Sequence, residues 1–481
     1  MSAGANPSPE RPAPPRGAAR PAQRSRGRAK AKPTAAAAAG TSTSTPWAGR
    51  RLHFVGVGGA GMSAYARAAH ALGASVSGSD RADSPFAAAL AADGVLEAQI
   101  GHRGENVPPG EDVELVCSSA IAADNPERLA AAARGLSVLT RAQLLGQLTA
   151  LRRTIAVAGA HGKTTTAAMI VSALRGGGVE PSYLIGGILL DSGRNGDWRE
   201  GEWLVVEADE SDRSLLELDV EIAVLTNVEL DHHDAYASLH ELEAVYREFL
   251  AAPPSAVIWD RPDLLALRGE RARVAYDAPA PGAGGAGVAL AVPGAHNARN
   301  AAAALAVAGL LGLDAAGATA GLAAFRGTAR RFERLGRAVS GAEIYDDYAH
   351  HPTEIAATIA AARTLEPSRL IVVFQPHLYS RTRALAREFG AALAGADVVV
   401  VLDVYGARER AEDFPGVSGL LIAETTADHA SGRPVHWLPD RERAAEIVAG
   451  LALAGDLVIA MGAGDVDGLG RALIAGGPGD G

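Results

Sequence analysis

Thr154-Ile155-Ala156-Val157-Ala158 runs directly into Gly159-Ala160-His161-Gly162-Lys163-Thr164-Thr165, and the text then continues as a helix from Thr164 to Leu174. The first five residues suit a strand buried on both faces. A strand, a Gly-containing turn and a helix in that order aim several backbone N–H groups and the positive helix end at an anion. A nucleoside triphosphate fits that geometry, with Lys163 a point charge on the β and γ phosphates and the Thr164 hydroxyl a ligand for Mg²⁺. The general phosphate-loop pattern wants a further glycine where Val157 stands, so this loop is of a shorter type. Taken alone, such a turn is also an ordinary strand-to-helix connection.

Working outward, the same alternation recurs on both sides. Upstream, Leu52-His53-Phe54-Val55-Gly56 enters a Gly-rich turn and an Ala-rich helix over Met62–Leu72, and strands follow at Ser75–Ser77, Leu115–Cys117 and Ser137–Leu139. Downstream, strands are predicted at Trp203–Glu207 and Ile222–Asn227, a loop over Asp277–Gly287 and a helix over Ala298–Leu311. Beyond Arg330, strands at Glu343–Asp347, Leu370–Phe374, Val398–Asp403 and Leu457–Met461 alternate with helices again. The pattern predicts an α/β protein of three tandem Rossmann-like domains: 50–149, 150–329 and 330–481.

A length of 481 residues agrees with several cores and leaves room for a cleft between them. Residues 1–49 are rich in Pro, Ala, Arg and Ser and hold eight basic residues against Glu10 alone, which predicts a disordered basic tail. The tail has no continuous apolar stretch of the kind a secretory signal needs. The net charge is −10 and the body is more acidic still, with no basic stripe, which argues against nucleic acid as the main partner. The longest apolar run, Ala301–Leu313, is too short for a spanning helix, so no stable membrane insertion is expected. Cys117 is the single cysteine, which rules out an intrachain disulfide and a Cys-based zinc site and suits a cytoplasmic location.

Two acidic clusters follow the phosphate loop. Glu207-Ala-Asp209-Glu210-Ser-Asp212 places four carboxylates in six residues, where they repel unless cations intervene, so a metal ion is the economical reading. Asn227-Val-Glu-Leu-Asp231-His232-His233-Asp234-Ala-Tyr236 adds imidazoles and carboxylates suited to a second divalent cation. Both clusters sit at strand carboxyl ends, where open parallel sheets bind their ligands. Either cluster alone also describes a solvated surface loop.

These residues and their neighbours closely resemble the Mur ligases over nearly everything after Trp47. The resemblance runs through Gly56-Val-Gly-Gly-Ala-Gly-Met62-Ser63, the phosphate loop, both acidic clusters and Pro293-Gly-Ala-His-Asn297-Ala-Arg-Asn300. It continues in Arg330-Arg331-Phe332-Glu333, Asp346-Asp-Tyr-Ala-His-His-Pro-Thr-Glu354, Gln375-Pro-His377 with Tyr379-Ser-Arg381, and Gly462-Ala-Gly-Asp465. It implies a UDP-sugar-binding first domain, an ATP-binding middle domain and a third domain that closes over both with the amino acid. It further implies ATP-dependent joining of L-alanine to UDP-N-acetylmuramate through an acyl phosphate, in peptidoglycan precursor synthesis.

By matching positions, the resemblance puts Gly159, Ala160, His161, Gly162, Lys163, Thr164 and Thr165 around the ATP phosphates, and Asn297 and Asn300 beside adenine and ribose. Thr164 and Glu207 would hold one Mg²⁺ or Mn²⁺, and His232 a second. Arg331 would cross from the third domain to the phosphates, and Asp347 would help position the nucleotide. Gly59, Gly61, Ser79, Asp80 and Ser118 would lie around UDP, and His377 and Arg381 would take the alanine carboxylate. The roles of His350 and His351 and the oligomeric state stay open.

Three other readings compete. A tripeptide-recycling Mur ligase acts on the same sugar nucleotide, but its glycine turn and amino-acid region look different from Gly58-Gly-Ala-Gly-Met62 and Gln375-Pro-His377. An NAD-dependent dehydrogenase shares the fingerprint Gly56, Gly58 and Gly61 with Asp80 at ribose distance. The downstream triphosphate loop and acidic clusters favour UDP over NAD on that turn. A non-catalytic nucleotide-binding regulator would bind ATP without releasing phosphate.

Overall fold

Three sheets, each mostly parallel, carry the chain in succession. A computed structural model describes residues 45–230, 235–277 and 288–475. In the first sheet five parallel strands lie in the order Gln99–Ile100, Ser75–Asp80, Arg51–Val55, Val113–Cys117, Ser137–Thr140. The second has seven strands, with Arg153–Ala158 between Ile222–Leu225 and Trp203–Glu207, and its edge strand Arg194–Asp197 antiparallel to Ser182–Leu189. The third has six, with Leu457–Met461 between Glu343–Asp347 and Leu370–Phe374, and an antiparallel edge at Glu333–Arg337. Right-handed crossovers on twisted parallel strands oblige the helices to cover both faces, which is why the central strands are mostly apolar and buried.

Most predicted strands fall within a residue or two of those observed; Ser75–Asp80 runs three residues beyond its predicted end, while Ile222–Leu225 and Val398–Val401 stop before the polar residues assigned to them. Apolar residues from one face of each of the first two sheets form a shared cluster, from Phe54 and Met62 through Leu184 and Val206 to Tyr246. The hairpin Ser182–Leu189 and Arg194–Asp197, not foreseen, reaches back to the first domain. Asn195 Nδ2 donates to Ser63 Oγ at 2.9 Å, and Arg194 pairs with Asp93 at 2.7 Å.

Part of the expected tail is folded. Trp47 is buried, its backbone N–H donates to Leu72 O at 3.0 Å, and the Arg50 guanidinium lies 4.4 Å over its ring. The first domain therefore takes in Thr45–Gly49, because an indole has enough apolar area to hold the chain down. Residues 1–44, and residues 278–287 of the expected loop, lie outside the described residues. Among the described residues no helix is long and apolar enough to cross a membrane.

The phosphate-loop helix, Lys163–Gly176, is wedged against Ala295–Leu310 and Ala315–Ala323. A Cβ at Gly321 would collide with Ser172 O, and one at Gly176 with Gly317 O. Backbone-to-backbone contact of this kind leaves the helix no freedom to slide, so the loop at its start is rigidly aimed.

Candidate active site

Gly159 and Gly162 both adopt positive φ, +132° and +81°. At Gly162 a side chain would also come within 3.1 Å of Asn300 Oδ1, so glycine is needed for conformation and for space. Between them His161 is clasped by Asn227, whose Oδ1 accepts the His161 N–H at 2.9 Å while its Nδ2 donates to His161 O at 2.8 Å. Thr226 Oγ1 donates to the same carbonyl at 2.8 Å. Lys163 Nζ donates to Gly159 O at 2.7 Å and pairs with Glu210 at 2.9 Å.

Ion pairs divide the first acidic cluster. Glu210 pairs with Lys163, and Asp209 and Asp212 share Arg141 at 3.0 and 2.6 Å, so these three carboxylates each meet a cation of the chain. Arg141 opens the helix Arg141–Thr149, whose capping box of Thr140 and Gln143 is visible in the text, though nothing local tells which carboxylates it meets. Glu207 alone forms no ion pair with a described residue. Burial raises its carboxyl above the ordinary range against the pull of the Gly186 N–H, Lys163 and the Thr164 hydroxyl. A buried carboxylate beside a hydroxyl, with cations near but not in contact, is a donor set that fits a hard divalent cation.

On the opposite wall the third domain presents Arg331 from a constrained segment. Its neighbours Arg330 and Phe332 both have left-handed backbone, φ +59° and +51°. Such residues persist only where the surroundings hold them. Here Glu333 accepts the Arg330 N–H at 2.8 Å and Asp347 Oδ2 accepts the Phe332 N–H at 2.7 Å. Asp347 Oδ1 takes the Ala349 N–H at 2.7 Å, so the carboxylate braces the segment that aims Arg331. Burial pushes the Asp347 carboxyl up to about 6, with Arg331 and the two N–H groups opposing.

His161, Gly162, Thr165, Asn297, Asn300, Arg331 and Asp347 all line one cleft of about 300 Å³ between the second and third sheets. Gly159, Ala160, Lys163 and Thr164 belong to the same loop and the first turn after it. Trp259 and Tyr276 add an aromatic wall that the sequence had not singled out, and Arg299 stacks on Trp259 at 4.0 Å. Asn297 and Asn300 are buried and hydrogen-bonded to each other at 3.3 Å. His161 bridges Glu229 and Glu354 at 3.1 and 3.2 Å; burial works against its proton, but these two carboxylates outweigh it and raise the imidazole to about 9. His232 lies outside the described residues.

The first glycine turn is separate from this cleft. Gly59 is exposed at the N-terminus of the helix Ala60–Ala71, and Gly61 lies in the first turn of that helix, near Arg141. Asp80 accepts the Gly58 N–H at 2.8 Å, so its carboxylate braces the turn. The Ser118 N–H donates to Val55 O at 3.1 Å, beside Gly56.

Ser79 is fully buried and donates to Glu127 at 2.7 Å. The same carboxylate meets His53 at 3.0 Å, Asn106 at 2.8 Å and His102 at 3.2 Å. Burial opposes ionisation of Glu127, yet these four bonds outweigh it and lower the carboxyl from 4.5 to about 2. A lowered carboxyl stabilises the fold above its unfolded value and ceases to do so as pH falls through the folded one. Glu127→Gln is therefore expected to lower stability by about 2 kcal/mol at pH 7. The gap from wild type should close between about pH 4.5 and 2, read from thermal melts across that range.

In the third domain His377 stacks on Tyr405 at 5.9 Å, and Arg381 is buried in the helix Tyr379–Ala384. His350 and His351 now have places. His350 meets the Tyr348 carbonyl through Nδ1 at 2.9 Å and burial pushes it down to about 4, while His351 caps the helix Pro352–Arg363.

Three family models match the chain: the Mur ligase family catalytic domain at residues 51–153, the Mur ligase middle domain at 157–277, and the Mur ligase glutamate ligase domain at 330–464. The UDP-N-acetylmuramate–L-alanine ligase of Saccharopolyspora erythraea is 46% identical over 460 residues, 88% of this chain and 93% of that relative. The chain belongs to the Mur ligase family. The crystal structure of the UDP-N-acetylmuramate-alanine ligase MurC of Thermotoga maritima superposes on this Mur ligase with a TM-score of 0.75 at 26% identity, covering 88% of this chain and 98% of that one. A murein peptide ligase of Psychrobacter arcticus shares the fold at a TM-score of 0.67 and 23% identity, covering 89% and 98%.

Proposed function

We propose that this Mur ligase joins L-alanine to UDP-N-acetylmuramate with ATP, in peptidoglycan precursor synthesis. The observation that carries the reaction class is a cleft lined by the phosphate-loop residues His161 and Gly162 and by Arg331, with Lys163 in the same loop and the Glu207 carboxylate close enough to feel both Lys163 and Arg331. The choice of alanine rests on the relatives of that name at 42–46% identity. In this reading the sugar carboxylate attacks the γ-phosphate of ATP and expels ADP to give an acyl phosphate, whose carbonyl the amine of alanine then attacks, losing a proton and releasing phosphate as the amide forms.

Phosphoryl transfer of this kind is positioning and charge neutralisation, so the site needs cations and no nucleophilic side chain. Lys163 exchanges Glu210 for phosphate oxygens, and Arg331 faces the transferring group from the third domain. Glu207 and Thr164 would hold a divalent cation, which would supply charge neutralisation to the triphosphate. Asn297 and Asn300, beside Trp259 and Tyr276, border the base and ribose. Gly59 and Gly61 present the helix N-terminus to the UDP diphosphate, Asp80 and Ser118 shape that turn, and Ser79 supports it from within. His377 and Arg381 take the amino-acid carboxylate.

The test is ADP release with UDP-N-acetylmuramate and each of twenty amino acids. Alanine is expected to give the highest kcat/KM. Release only with a tripeptide would transfer the chain to the recycling activity, and ATP binding without ADP release under any combination would leave a regulator.

A further inference from the structure

We propose that Glu354 is a positioning residue for this reaction, joining the third domain to the phosphate loop and holding His161 and Arg331 in one arrangement against the nucleotide. The inference rests on the ATP reading above. Glu354 stands in the first turn of the helix Pro352–Arg363, where an acidic side chain ordinarily serves its own helix end. Here it does that with one oxygen and reaches out of the helix with the other. One oxygen, Oε1, lies 3.2 Å from His161 Nδ1 and 3.9 Å from an Arg331 guanidinium nitrogen, while Oε2 accepts the His350 N–H at 3.1 Å.

The partners make this more than a surface pair. The Glu354 and His161 side chains are only 14% and 13% exposed, so water competes weakly for either. The other ring nitrogen of His161, Nε2, faces Glu229 at 3.1 Å, and an imidazole between two carboxylates uses both nitrogens as donors. Glu229 in turn accepts from Thr353 Oγ1 at 2.7 Å. The ring of His161 is therefore gripped from the middle domain by Glu229 and from the third by Glu354. His161 is a phosphate-loop residue whose backbone Asn227 already fixes, so its ring is the part of the loop that feels whether the third domain is docked. Arg331 meets that same carboxylate, and one docking event thus sets the loop and the crossing cation together.

The experiment is a double-mutant cycle on the full chain, with ADP release and thermal melts measured for wild type, Glu354→Gln, His161→Ala and the pair. Glu354→Gln is expected to lower kcat about 30-fold. The double variant should fall no more than about threefold below the weaker single, because both changes break one unit. A purely structural role would lower the melting temperature and leave the kcat losses multiplicative. Glu354→Asp keeps the buried charge but shortens the reach, and is expected to lower kcat without restoring the coupling; it carries the test if the glutamine variant folds poorly. Wild-type kcat in a folded Glu354 variant, or multiplicative losses in the cycle, would overturn the proposal alone. Wild-type protein that releases no ADP would overturn the functional reading and this proposal with it.

Discussion

Lys163→Ala is expected to reduce ADP release by about 10³-fold or more, the scale of losing one preorganised charge at a phosphoryl-transfer site. The same substitution also removes the lysine that pairs with Glu210, whose side chain is only 3% exposed. Breaking a buried ion pair from one side costs about 3–5 kcal/mol, so a loss of activity in the single variant mixes chemistry with stability. The double variant Lys163→Ala/Glu210→Gln separates them. Its melting temperature should return towards wild type while turnover stays down. Recovery of turnover together with stability would mean that Lys163 serves the fold and not the phosphate.

Arg331→Ala is expected to lower kcat by about 10³-fold, as the removal of a cation supplied in trans to a transferring phosphoryl group does. Its contacts in the folded protein are few: the guanidinium lies 5.0 Å over Tyr348 and 3.9 Å from Glu354, and the side chain is 29% exposed. A substitution at such a position shifts stability by about 0.5 kcal/mol or less, so the melt should hardly move. KM for ATP should change less than kcat if the cation acts mainly on the developing charge. Steady-state kinetics decide the matter, and a kcat within threefold of wild type would remove Arg331 from the machinery.

The two variants also bear on how the site is assembled. Lys163 lies in a loop whose shape follows from local rules, glycines at positive φ between a buried strand and a wedged helix. Arg331 owes its direction to two left-handed residues, Arg330 and Phe332, and to Asp347, which the family resemblance assigned to positioning the nucleotide. The hairpin after Ser182 was missed for a related reason. Gly186 and Gly187 dilute its strand signal, yet a Cβ at Gly186 would lie 3.1 Å from the Glu207 carboxylate and one at Gly187 2.8 Å from Thr164. Those glycines make room for the candidate metal site, and that reason is invisible along the chain.

Strand and helix order, the glycine turns and the boundaries of most buried strands follow from the text, because hydrophobic periodicity and turn chemistry act over a few neighbouring residues, and the type of reaction follows from the family resemblance. Ion pairing does not. Lys163 meets Glu210 across 47 positions, Arg141 meets Asp212 across 71 and His161 meets Glu354 across 193. Which carboxylate each cation neutralises, and hence which one is left for a metal, depends on where three sheets bring their strand ends. The four acidic residues of Glu207–Asp212 look alike in sequence, and packing alone makes Glu207 different from its neighbours.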